Sequence, residues 1–175
     1  LEAAKQFAAT YGSALCRVFH TRGSAEVIAA RSDAPLYLGQ IEYGSSASQT
    51  QIPLLGSFQG IALPMLSSGN PYSGWADLSG AGYQAMAELL RAYLKNFITS
   101  GDPNGKKLLS GSTRWQRWTP DSPALLVLDA DTDHAVTRCA AQTETKESLL
   151  AAMEADSTLS PAPVSYTHLT LPTSD

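Results

Sequence analysis

From about Gly80 to Thr99 the apolar residues fall at helical spacing. Met86, Leu90, Tyr93 and Phe97 recur at three- and four-residue steps, flanked by Leu89 and Leu94, which gives a stripe wide enough to face a core. Ser79 is placed to cap its start, and Gly101 followed by Pro103 stops it. A chain of 175 residues, 43% of them hydrophobic, has the apolar content to complete that core within one soluble domain.

The partner layer is read from Leu36 to Tyr43. Tyr37, Gly39, Ile41 and Tyr43 alternate with Leu36, Leu38, Gln40 and Glu42, the pattern of a strand whose two faces differ. Before it, Leu1 to Thr10 carries Leu1, Ala4, Phe7 and Ala8 at helical spacing, so a short helix is expected to end at Gly12. A second is expected from Arg22 to Arg31, with Ser24 as N-cap and Pro35 blocking continuation. Ser45 to Gln51 is small and polar and reads as a mobile surface loop, and Ser67 to Ser79 is too rich in turn residues for a regular element. Thr143 to Ala155, with Leu149, Leu150 and Met153, reads as a terminal helix followed by a Ser/Pro linker from Ser157 to Pro163.

Charge and cysteine content exclude several classes of function. The formal net charge is −4, with only 12 Lys+Arg and no cluster beyond Lys106-Lys107, so no basic footprint for nucleic acid is present. No apolar run reaches the roughly 18 residues of a spanning helix. The opening Leu1-Glu2-Ala3-Ala4-Lys5 has neither Met nor a signal-peptide pattern, and the true start is expected to lie upstream. Cys16 and Cys139 could be a disulfide or two buried thiols, and their separation excludes a CxxC pair.

The stretch Leu55-Gly56-Ser57-Phe58-Gln59-Gly60-Ile61-Ala62-Leu63-Pro64-Met65 resembles a segment of type B carboxylesterases, the family of cholinesterases and fungal lipases. There a Gly-small-aromatic-His-Gly-x-Glu-Leu-Pro-Phe run places the catalytic histidine on a loop after a core strand. Gly56, Phe58, Gly60, Leu63 and Pro64 fit that run, whereas Gln59 stands at the His position and Ala62 at the acidic one. Asn96 to Asn104 resembles the helix-plus-GDPN signature of the same family, Trp115-Gln116-Arg117-Trp118-Thr119-Pro120 its Trp-centred loop, and Leu125-Leu126-Val127-Leu128 the strand that follows that loop. Arg138-Cys139 matches an Arg and a Cys, but Ala140-Ala141 replaces the aromatic pair that follows them.

The resemblance runs from about Ala14 to Ala141 and corresponds to the C-terminal third of a type B carboxylesterase. It implies an α/β fold: an incomplete α/β-hydrolase, with helices packed on one or two orphaned core strands. Residues 1–155 would be the C-terminal portion of the domain, and 156–175 a disordered linker and a tail whose last twelve residues resemble translated adapter sequence. The parent would be a carboxylic ester hydrolase with a Ser-His-acid mechanism and a small carboxylic ester or lipid substrate, needing no metal or cofactor. The resemblance also implies a pocket to which Phe58, Leu66 and Trp75 contribute, a Cys16–Cys139 disulfide and a secreted parent.

The chain lacks the Gly-x-Ser-x-Gly elbow that carries the nucleophile in this fold, since Gly44-Ser45-Ser46 and Gly111-Ser112-Thr113 have no second glycine. Gln59 cannot replace the imidazole, because a carboxamide neither takes nor returns a proton near neutrality. The fragment is therefore expected to be inactive, with a decayed or repurposed site, the alternative being a misread His codon. A rival reading is a non-catalytic, cholinesterase-like binding or adhesion module. His20 and His134 read as exposed loop or structural residues, and Asp129, Asp131 and Asp133 lack the glycine and closing glutamate of a calcium loop. With the neighbouring strands absent, the Gly80 to Thr99 stripe and the Tyr37/Ile41/Tyr43 face are expected to lie exposed and to promote association.

Overall fold

The computed structural model describes residues 2–158 apart from Leu54, Ser68 and Lys107. The tail from Pro161 to Asp175 and most of the Ser157 to Pro163 linker lie outside the described residues. Helix α1 (Glu2–Leu15) runs through a π-helical stretch (Cys16–Arg22) into α2 (Gly23–Ala29). Then follow β1 (Leu38–Ile41), a single-turn α3 (Leu63–Leu66), α4 (Ala81–Ser100), β2 (Ala124–Ala130), β3 (Ala135–Ala141) and α5 (Lys146–Ala155).

The sheet has three strands in the order β1-β2-β3. β1 pairs parallel with β2, Leu38 opposite Leu125 and Ile41 opposite Leu128, and β2 pairs antiparallel with β3. The class is mixed α/β, built on a small mixed sheet. β2 is buried along its whole length, which explains why Ala124 to Leu128 is a continuous apolar run with no alternation. Leu126, Leu128 and Ala130 face Met86, Leu89, Leu90 and Tyr93 of α4. Leu125 and Val127 face Ala25 and Ala29 of α2, together with Trp118. Each large apolar side chain so enclosed stabilises the fold by about 1.5–3 kcal/mol. β1 divides the same way: Tyr37, Ile41 and Tyr43 join the α4 side, and Leu36 and Leu38 the α2 side.

Several expectations are corrected. The α4 stripe and the Tyr37/Ile41/Tyr43 face are covered by each other and by the central loop, and only the end of the stripe, Phe97 with Ile98 at 83% exposure, faces solvent. The sheet has a third strand, β3. Ala135–Ala141 carries Val136 and Arg138 among Ala, Thr and Cys with no clear apolar alternation, and it is held by its hairpin with β2. Gly12 does not end α1. It stays helical because the residues that follow, Ala14 and Val18, dock on Leu149 of α5, and a glycine stops a helix only when it turns left-handed. Ser24 is likewise inside a continuous helix, preceded by Arg22 with φ −67° and ψ −45°, and is no N-cap.

Ser79 does not cap α4. Its hydroxyl donates to Asp77 Oδ1 at 2.5 Å, and Gly80 occupies the cap position without a side-chain bond. The stop is as expected, with Gly101 left-handed at φ 75° and its N–H on the Phe97 carbonyl. The Ser45 to Gln51 loop is tied to the sheet: Gly44 bridges to Gln51, and the buried Ser48 hydroxyl donates to Asp129 Oδ1 at 2.6 Å. α5 begins with a reciprocal capping box between Thr145 and Ser148.

Candidate functional site

β1 and β2 run parallel, so their carboxyl ends lie at the same margin of the sheet, the place where open α/β sheets put their ligand crevices. The segment resembling the histidine loop leaves that margin. The Ser57 hydroxyl donates to the Ile41 carbonyl at 2.7 Å and pins the loop to the end of β1. Phe58 stacks edge-on against Tyr72 with centroids 4.8 Å apart, and Gly56 and Gly60 take φ 63° and 95°. At Gly60 a Cβ would also run into the Tyr72 hydroxyl. Beyond the turn, the Ile61 carbonyl accepts from the buried Tyr83 hydroxyl at 2.7 Å, and the Met65 carbonyl from Arg91 at 2.6 Å.

Gln59 is at the exposed crest of this turn and makes no hydrogen bond among the described residues. Its neighbours are fixed; its own carboxamide is not. Ala62 precedes α3 in helical conformation, with φ −78° and ψ −17°. No second base is at hand among the described residues. His20 is exposed on the π-helical stretch, within the helical layer that continues into α2. His134 is 80% exposed in the β2–β3 turn, where its Nδ1 lies 3.5 Å from Asp131.

The concavity at this margin is a cleft of about 380 Å³, formed by Tyr43, Thr50, Gln51, Ile52, Pro53, Trp75, Ala76, Asp77, Gly80, Gly82, Tyr83, Asp131 and Thr132. Of the pocket residues expected from sequence only Trp75 lines it, at 74% exposure. Phe58 is half-buried as the anchor of the turn, and Leu66 projects outward from α3 at 54% exposure; neither lines the cleft. Burial, and then the neighbouring Tyr43, push the Tyr83 hydroxyl up to about 12. Burial raises Tyr43 too, helped by the charges of Asp77 and Asp129. Hydrogen bonds from Ser79 hold the Asp77 carboxyl below its ordinary value, and the amides of Asp133 and His134 do the same for Asp131.

Sequence reasoning missed Tyr43, Tyr83, Asp77 and Asp131 as a group. The local signal was present in Asp77-Leu78-Ser79 and Asp131-Thr132-Asp133-His134, where an aspartate accepts from amides two or three residues on. Asp129 is separated from Asp131 by its place in β2, where it is buried against Ser48, and no group of three or more acidic, His or Cys side chains is arranged to hold a metal among the described residues.

Cys16 and Cys139 are both free thiols, so the bridge implied by the resemblance is not formed. Cys16 is exposed on the helical layer, whereas the Cys139 thiol on β3 donates to the Arg114 carbonyl at 3.1 Å. No helix of the described residues is long and apolar enough to cross a membrane. No protein-family model matches the chain, and no curated protein matches it.

Proposed function

We propose that this chain is the C-terminal part of a serine ester hydrolase of the type B carboxylesterase kind, and that on its own it does not hydrolyse esters. The observation carrying the reading is the position of Gln59. The residue sits on a glycine-containing turn held to the carboxyl end of β1 through Ser57, beside the parallel β2, and the resemblance would put the triad base on such a turn. Two further segments of the resemblance support it by being joined in space, because the Asn104 side chain of the GDPN turn pairs with the backbone of Trp115. The parent's substrate would be a small carboxylic ester or a lipid.

The test is a chimera in which residues 1–155 follow the N-terminal portion of an active family member carrying the serine elbow and the acid. With Gln59 the chimera should leave p-nitrophenyl esters intact. Gln59→His should raise kcat by about 10⁴ to 10⁶, the usual worth of a triad base. Equal turnover by both would overturn the placement of the base.

The second reading, a non-catalytic binding or adhesion module, is favoured by the exposed, unbonded carboxamide of Gln59. The sequence upstream of Leu1 separates the two. An intact Gly-x-Ser-x-Gly elbow supports the hydrolase, and a disrupted one the binding module.

A further inference from the structure

Asn104-Gly105 is the one Asn-Gly pair in the sequence; the two other asparagines precede Pro71 and Phe97. A chain attacks its own side chains most readily at such a pair, because glycine leaves the following backbone nitrogen unhindered and free in φ and ψ. Both residues are nevertheless required here. Asn104 is 4% exposed, and its carboxamide accepts from the Trp115 amide and donates to the Trp115 carbonyl. Gly105 takes φ 62°, and a Cβ on it would lie 2.8 Å from Asn96 Nδ2, which holds the Pro103 carbonyl at 3.1 Å. The fold therefore demands the reactive pair.

The same contacts restrain the reacting groups. Asn104 Nδ2 also donates to Asp102 Oδ1 at 2.7 Å, so the carboxamide is engaged through both its nitrogen and its oxygen. The Gly105 N–H is directed at the Asp102 carbonyl at 3.4 Å. For the Gly105 nitrogen to reach Asn104 Cγ, the carboxamide must leave Trp115 and Asp102, and the turn must open.

We propose that Asn104 is a deamidation site gated by opening of this turn, and that its modification makes the opening irreversible. In the opened chain the Gly105 nitrogen, having given its proton to water, forms a bond to Asn104 Cγ. The Cγ–Nδ2 bond breaks and ammonia leaves, giving a cyclic succinimide. Water then opens the ring at either carbonyl and leaves aspartate or isoaspartate in place of the asparagine. Neither product restores the turn. An aspartate has no N–H for the Trp115 carbonyl, and it sets a second negative charge against the Asp102 carboxyl, which the Asn104 N–H groups hold below its ordinary value. An isoaspartate adds a methylene to the backbone and moves the side chain out of register with Trp115.

The test is incubation of the purified full chain at mildly alkaline pH, folded in buffer and unfolded in guanidinium chloride, with digestion and mass spectrometry of the peptide that carries Asn104. In denaturant that peptide should gain the dalton that separates an acid from its amide, with isoaspartate among the products, well before the peptides of Asn70 and Asn96 do. In buffer the reaction should be at least about a hundredfold slower, since only the opened fraction reacts. The fraction that recovers native circular dichroism when denaturant is removed should fall in step with modification at Asn104. Gly105→Ala, measured in denaturant where folding plays no part, should slow the reaction severalfold. Equal rates in buffer and denaturant would overturn the gate. Full refolding of a chain modified at Asn104, with an unchanged unfolding midpoint, would overturn the irreversibility.

Discussion

Asn104 and Trp115 are paired in both directions: Asn104 Oδ1 accepts from the Trp115 amide at 2.7 Å, and Asn104 Nδ2 donates to the Trp115 carbonyl at 3.0 Å. The side chain thus pairs with the backbone as a neighbouring strand would, although it belongs to the turn after α4. The pairing sets Trp115, whose indole N–H donates to the Leu38 carbonyl at 2.9 Å and whose ring covers Gly39 so closely that a Cβ there would lie 2.9 Å from Cζ2. One turn therefore ties α4, the Trp loop and β1 together.

Asn104→Ala should destabilise the chain by about 2–4 kcal/mol, since it leaves the amide and the carbonyl of Trp115 unpaired in the interior. Urea unfolding followed by circular dichroism measures it. A loss under about 0.5 kcal/mol would mean that water replaces the carboxamide.

Gly60→Ala should cost at least about 1–3 kcal/mol from its left-handed backbone alone, and more from the collision with Tyr72. Gly74→Ala, at a position with open space for a Cβ and no positive φ, should be close to neutral. Comparing the two melting temperatures separates a requirement for glycine at the turn from a general intolerance of substitution.

Tyr83 links stability to alkaline pH. Its folded pKa is raised from 10.0 to about 12, so the folded state holds the proton more tightly than the unfolded chain does. That contribution is whole below pH 10.0 and is lost as pH rises through about 12. Unfolding midpoints measured from pH 9 upward should fall across this window. Tyr83→Phe should start lower, because the Ile61 carbonyl loses its partner, and fall less steeply.

Both cysteines should react as thiols. Under non-reducing conditions the intact mass should show two free sulfhydryls, with Cys16 modified by a maleimide before Cys139, whose thiol is engaged with Arg114. A mass lower by two hydrogens, insensitive to maleimide, would restore the bridge.

The parts legible in sequence were those whose cause is local or periodic. The α4 stripe and its Gly101 stop were readable because helical spacing and a left-handed cap are both short-range signals, and β1 because its alternation reflects two different faces. The Gln59 turn was legible as a loop only through the family resemblance, and neither its exposure nor the pocket was. Phe58 and Leu66 are separated from the cleft by the direction in which the turn and α3 point them, which spacing does not encode.

The sequence alone determined that this chain has an amphipathic helix to bury, a strand to bury it on, and a left-handed stop at Gly101. These follow from side-chain chemistry within a few residues. Tertiary structure decided the rest: that Gly12 remains helical, because Ala14 and Val18 find Leu149; that Ser48 is interior, because Asp129 requires a donor; and that Tyr43, Asp77, Tyr83 and Asp131 share one cleft. Each depends on contacts between residues distant in the chain, whose free energy exceeds the local preference and leaves no mark in local spacing.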